Sequence, residues 1–357
     1  MNNGTSRAAA FFRSPEWGLL VSIGLVLWII YYLDPTRSFF SFGSREALIH
    51  QIGLYGVLAV GASVVIISGG IDLSVGAVVA LSSVIVAKLM TEWLHDGTTG
   101  PPPSWIIVTS IGLTLLMGLG IGLFHAFLIN RLALPAFIAT LATMSGLRSL
   151  ASIIAENRTI NVGRGYELFR AAGKTPTATF ATFATVAVAV SIMMGATVLG
   201  RHLFALGGNE AAARLSGLKI YRLKSIAYGL SGVLAAIAGI LFTGRSGQAS
   251  PQLGLSYELF AITAAVVGGC SLAGGVGSVR GTVLGLFLLQ ILIRGTGIVV
   301  TKVDFTLGSR HVVIELNSTQ VEGLVLGTVI ILAVAINQGL AAKIVALAKR
   351  AGARPAT

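Results

Sequence analysis

Between Trp17 and Gly339 the chain is a succession of apolar runs, most of them near 20 residues long. A helix of roughly 20 apolar residues crosses a hydrocarbon core about 30 Å thick, and inside that core every backbone polar group must be satisfied within the segment itself. Only 11% of the residues are charged and 54% are hydrophobic, whereas ordinary soluble domains carry about 25% charged residues. The expected fold is therefore all-α, a polytopic transmembrane helix bundle whose solvent is the lipid bilayer. The net charge of +12 comes from Lys and Arg scattered through short connectors rather than gathered on one face, which argues against nucleic acid as a partner. Cys270 is the single cysteine, so neither an internal disulfide nor a cysteine-based metal centre can be built.

Runs bounded by charges, Gly and Pro predict spans near 17–33, 47–68, 71–91, 105–129, 136–154, 178–199, 225–243, 258–272, 279–299 and 321–340, with some broken helices among them. Arg7 and Arg13 before the first run resemble a signal peptide, but no small-x-small site follows. Tyr31, Tyr32, Asp34 and Pro35 read instead as an interface belt and a turn, so the segment is kept as a span. Cytoplasmic connectors retain Lys and Arg. Placing the N-terminus inside collects Arg131, Arg201, Arg214, Lys219, Arg222, Lys224, Arg280 and Lys343 on the cytoplasmic side, and both termini face the cytoplasm. The organisation expected is a cytoplasmic tail 1–16, a transmembrane domain 17–340 with a long inner loop 200–224, and a cytoplasmic tail 341–357. The outer connectors 156–177 and 301–320 are candidates for a docking surface. Gly69-Gly70 and Gly268-Gly269 hint at an internal duplication.

No HExxH, GxSxG or His/Cys/carboxylate set of ligand spacing is present. Gly173-Lys174-Thr175 has the tail of a phosphate-binding loop, but Leu168 stands where its first glycine belongs. Driving energy must then come from another subunit or from an ion gradient.

Three segments carry chemistry. In Ile67 to Gly76 a glycine-interrupted stretch encloses Asp72 and Ser74 between two apolar runs. An acid there either caps a helix starting at Leu73 or faces a polar solute. In Gly207-Gly208-Asn209-Glu210-Ala211-Ala212-Ala213-Arg214-Leu215-Ser216-Gly217, Asn209 suits an N-cap, Glu210 the positive helix start and Gly217 a stop. This predicts a short helix with Glu210 and Arg214 paired four apart and with Ala212 and Leu215 presented to a partner. From Val267 to Gly285, dense glycine suits close helix packing, and before it Tyr257 and Glu258 open a span, lining an entrance or anchoring at the interface.

In this order and spacing, and together with Leu134-Pro135-Ala136-Phe137-Ile138-Ala139-Thr140-Leu141-Ala142-Thr143-Met144, these segments resemble the membrane permeases of bacterial ABC importers for sugars, the class that includes ribose, xylose and autoinducer-2 transporters. The resemblance runs from about Leu48 to Asn337. It implies an inner (plasma) membrane permease subunit without an ATPase site or cofactor of its own, ATP being used by a cytoplasmic ABC ATPase subunit. It also implies a second permease copy and a periplasmic sugar-binding protein as partners. Gly208, Asn209, Glu210, Ala212, Arg214, Leu215, Ser216 and Gly217 would couple to the ATPase. Asp72, Ser74, Thr140, Thr143, Tyr257 and Glu258 are the candidates along the translocation path. The alternatives are a nucleoside or branched-chain amino acid ABC permease and an ion-coupled secondary transporter.

Overall fold

The computed structural model describes residues 15–95, 102–163, 165–299, 302–307, 310–315 and 320–335. Most of the tail 1–16 and all of 341–357 lie outside them, as do 336–340 of the last expected span. Each of the expected runs is helical: α1 Pro15–Leu33, α2 Phe42–Ile67, α3 Val75–Lys88 continued by a π turn Leu89–Trp93, α4 Ser104–Arg131 and α5 Ala136–Ile154. After a strand β1 (Ile160–Asn161) come α6 Glu167–Lys174, α7 Pro176–Ala196, α8 Val198–Gly208, α9 Glu210–Leu215 and α10 Ile220–Ser246. Strand β2 (Gln248–Ala249), α11 Tyr257–Val267, α12 Val279–Val299, a hairpin β3 (Lys302–Leu307) and β4 (Arg310–Glu315), and α13 Gln320–Ala335 complete the chain. Among the described residues, eight of these helices are long and apolar enough to cross a membrane, and α11 and α13 are shorter apolar helices.

The run expected over 178–199 is two helices. Thr197 adopts an extended backbone between α7 and α8, and its hydroxyl accepts a hydrogen bond from Gly200 N at 3.2 Å, capping α8. This redirects the chain at one end of the bundle and leads into α9.

In the most apolar stretches of α2 and α3, 83% of residues are buried, against 6% in α1. The core is therefore α2, α3 and α10, and α1 stands at the rim. Small residues make this packing close: a Cβ at Gly122 would run into the Tyr228 carbonyl, and one at Gly232 into that of Gly118, so α4 and α10 meet backbone to backbone.

One end of the bundle holds α9. At the other, β1 and β2 pair antiparallel (Ile160↔Ala249, Asn161↔Gln248) and join the connector after α5 to the connector after α10. Helix α6 buries Phe169 and Gly173, Tyr166 Oη donates to Met90 O at 3.0 Å, and the Gly173 carbonyl lies 2.6 Å from His50 Nε2. Connector 156–177 is thus anchored to the bundle by Tyr166, Phe169 and Gly173, while Glu156, Arg158, Glu167 and Leu168 stay exposed. Gly173-Lys174 simply ends α6. Lys88 bridges Glu92 at 2.5 Å and Glu156 at 3.3 Å, and Glu156 also pairs with Arg158. Hydrogen bonds from Lys88 and Arg158 hold the Glu156 carboxyl below the usual glutamate range. The stretch 301–320, expected as a long connector, contains the antiparallel hairpin with Lys302 opposite Glu315 and Leu307 opposite Arg310.

Candidate functional site: a terminal rod and a broken helix

Helix α9 has the local structure its residues predict. Asn209 Oδ1 accepts from Ala212 N at 2.9 Å. At the far end Gly217 takes φ +80°, Gly217 N donates to Arg214 O at 3.0 Å and Leu218 N to Ala213 O at 3.1 Å, the double bond pattern of a glycine-terminated helix. Ala213 is buried against the bundle, while Gly208, Asn209, Ala212, Arg214, Ser216 and Gly217 are exposed. Leu215 is 90% exposed. The rod therefore projects a small apolar tip framed by polar groups.

Glu210 Oε1 accepts from Arg214 Nη2 at 3.1 Å, as the spacing predicts. Its other oxygen meets Lys224 Nζ at 2.8 Å, a partner on α10 that local spacing did not indicate. Burial alone would push the Glu210 carboxyl up, but the hydrogen bonds and charges of Lys224 and Arg214 outweigh it and hold the group below its ordinary range.

Beneath the rod, two glycine turns meet. Helix α2 ends with Gly69 N donating to Ile66 O and Gly70 N to Val65 O, and α11 ends with Gly269 N donating to Val266 O and Cys270 N to Ala265 O, all at 2.9 Å. Gly69 and Gly269 have φ +83° and +92°, a left-handed conformation that glycine adopts without a Cβ penalty. The hint of duplication in the sequence is thus a repeated helix end. The turns are joined where Gly275 N donates to Ile67 O at 2.9 Å, and Gly207, at the end of α8, lies against both of them.

The chain then runs without helix to Val75. Asp72 is buried here, and Oδ1 accepts from Ser74 N at 2.9 Å and Ser74 Oγ at 2.6 Å, while Oδ2 accepts from Ser231 Oγ on α10 at 2.8 Å. The helix starts at Val75 rather than Leu73, so Asp72 is a staple across the break and not its cap. Ser231 lies eleven positions past Ile220, about 16 Å up α10 at 1.5 Å per residue, which puts the staple well inside the bundle. Thr140 Oγ1 on α5 lies 3.3 Å from the Ile71 carbonyl, and Tyr228 Oη on α10 lies 3.5 Å from it. One turn further along α5, Thr143 Oγ1 contacts His125 Nε2 at 2.7 Å.

Thus Asp72, Ser74 and Thr140 gather around the broken segment, with Thr143 beside them. Glu258 lies at the start of α11, where a Cβ on Gly76 would run into its carboxylate and into the Gly254 carbonyl. Tyr257 is a correction to the interface reading. Its ring packs in the interior against Tyr55 at 4.9 Å and Phe242 at 5.0 Å, because α11 begins partway into the bundle. The loop leading to it is held by Arg148, whose guanidinium donates to the carbonyls of Pro251 and Leu253 at 3.0 Å and of Gly254 at 3.3 Å. A guanidinium among apolar helices needs such acceptors. Arg148 stands within an apolar run, and its partners more than 100 positions away leave no local trace in the sequence. Lys224 entered the sequence analysis only as a cytoplasmic charge, and Tyr228 and Ser231 not at all, although their spacing of four and then three places the three on one helix face.

Residues 44–334 match the family model described as "Branched-chain amino acid transport system / permease component". The chain is 35% identical to the ribose import permease protein of Haemophilus influenzae, over 82% of this chain and 88% of that protein. It is 33% identical to the galactose/methyl galactoside import permease protein of Salmonella typhimurium (78% and 86%). With the xylose transport system permease protein of Escherichia coli the identity is 30% (82% and 88%). No solved structure matches the chain.

Proposed function

This chain belongs to the family of transport-system permease components, and on that premise we propose that it is the membrane-spanning permease subunit of an ATP-driven (ABC) importer for a monosaccharide. It is a multi-pass protein of the inner membrane, with both termini and α9 on the cytoplasmic side. Two copies enclose the path, a periplasmic sugar-binding protein delivers the solute, and a cytoplasmic ATPase subunit hydrolyses ATP. The chain itself binds no cofactor.

The observation that carries this reading is α9: a capped, exposed rod at one end of the bundle, ion-paired to the long core helix α10. A connector between adjacent spans needs only a few residues, so a rod with an exposed leucine tip is suited to a partner's groove. The family's description mentions branched-chain amino acids, but the relatives named above are permeases for ribose, galactosides and xylose, which supports a sugar. The path fits a neutral solute, since Asp72 is bonded internally and Arg148 is bound to carbonyls. What remains to meet sugar hydroxyls is hydroxyl and backbone groups, together with the Glu258 carboxyl, whose Oε2 is buried without a hydrogen-bond partner. ATP binding then biases the outward–inward equilibrium by no more than its differential affinity for the two states.

Proteoliposomes carrying this permease, its ATPase subunit and its binding protein are expected to take up radiolabelled ribose, galactose or xylose only with internal ATP. Uptake should be indifferent to ionophores. Accumulation without the ATPase subunit that vanishes on collapse of the ion gradient would make the chain a secondary transporter instead.

A further inference from the structure

We infer that α10 is the lever of the transport cycle, and that Lys224 and Ser231 are its positioning residues: one face of this helix joins the rod α9 to the broken segment between α2 and α3. The inference rests on α9 being where the ATPase engages.

Lys224, Tyr228 and Ser231 stand at i, i+4 and i+7 on α10 and so share a face. At the base, Lys224 Nζ binds Glu210 Oε2 of α9 at 2.8 Å. Higher up, Tyr228 Oη lies 3.5 Å from the Ile71 carbonyl, and Ser231 Oγ binds Asp72 Oδ2 at 2.8 Å. The contact continues along α3, where a Cβ on Gly239 would press on the Val79 carbonyl and Thr243 Oγ1 donates to Ser83 Oγ at 2.7 Å. Helix α10 runs unbroken for 27 residues, about 40 Å. The segment 68–74 that it grips is the non-helical stretch between the end of α2 and the start of α3.

A displacement of α9 therefore has a rigid route to the one non-helical stretch beside Asp72. The Lys224 side chain is 16% exposed and that of Glu210 41%, so the pair is shielded on its α10 side but only partly removed from solvent screening. A contiguous route becomes coupling only when both of its ends are shown to bias the same element.

The test uses the complete transporter in proteoliposomes with Lys224→Met, Ser231→Ala, the double variant, and Lys224→Arg and Ser231→Thr. The readouts are sugar moved per ATP hydrolysed and the amount of ATPase subunit co-purified. Each single variant is expected to lower sugar moved per ATP by about tenfold, within the range coupling free energies reach, with the ATPase subunit still bound. The double variant should be no worse than the poorer single, because both residues lie on one route. The Arg and Thr variants should restore most of the loss. An unchanged ratio in the singles, or losses that multiply in the double, would overturn the lever.

Spin labels on the otherwise native chain test the same idea without deleting a contact. The separation of Leu215 on α9 from Thr91 beyond α3 should stay constant between nucleotide states, while that of Leu215 from Trp28 on α1 changes. A shift between Leu215 and Thr91 by a helical turn, about 5 Å, would overturn it. A native complex that shows no ATP-dependent uptake at all would overturn the functional reading and the lever together, which separates that failure from loss of coupling alone.

Discussion

Replacing Glu210 and Arg214 together with alanine is expected to lower sugar uptake per ATP hydrolysed by about tenfold or more, while the protein remains inserted and folded. Folding should survive because the determinants of α9 lie elsewhere. Asn209 still caps its start, Gly217 still ends it and Ala213 still seats it on the bundle. Exposed i,i+4 pairs contribute only about 0.3–0.5 kcal/mol, so the Glu210–Arg214 pair is a minor part of stability. Its loss matters for another reason: Glu210 also holds Lys224 at 2.8 Å, and the rod without it is no longer tied to α10. Uptake and stimulated ATPase are the measurements, and unchanged values for both in the double variant would remove α9 from the transmission of force.

The largest structural effect is expected from one methyl group. Gly207→Ala would place a Cβ well inside contact distance of the Ile67 carbonyl and 2.6 Å from Gly275 N. Those two groups are themselves hydrogen-bonded at 2.9 Å. All the obstructing atoms are backbone, so no rotamer change relieves the clash, and three chain segments must separate. Overpacking of this kind costs about 1–3 kcal/mol and sometimes more. Gly208→Ala, at the next position, meets nothing within 4 Å and serves as the control. Thermal melting in detergent should show a clear loss for Gly207→Ala and almost none for Gly208→Ala. Equal melting temperatures would mean that the meeting of the α2 and α11 turns with α8 is not tight.

The sequence was readable wherever the determinant is local. Apolar run length located α5 and α12 at the limits the structure has, because a span must match the hydrocarbon thickness. The caps of α9 were readable from Asn209 and Gly217, because each acts within a few residues of itself. Pairings across the chain left no such trace. Nothing near Ile160 announces Ala249 as its strand partner, and nothing near Asp72 announces Ser231, 159 positions away. For the same reason the sequence left Tyr257 open between an entrance and an interface anchor. Tyr before an apolar run is the mark of a membrane interface, and only the fold reveals that α11 begins inside an aromatic cluster with Tyr55 and Phe242. Thr197 carries no helix-breaking signal, yet its hydroxyl divides one apparent span into α7 and α8.

The central claim is that this bundle has no engine and is driven through α9. Leu215, 90% exposed on that rod, is the position from which to test it most directly. The chain's only native cysteine, Cys270, is buried. In inside-out membrane vesicles holding the whole transporter, Leu215→Cys is expected to cross-link to the ATPase subunit through a short bifunctional thiol reagent. The yield should change when ATP is added, and the cross-linked complex should stop transporting. Labelling of Leu215→Cys from the periplasmic side of intact cells, or transport that continues undiminished in the cross-linked complex, would contradict the account.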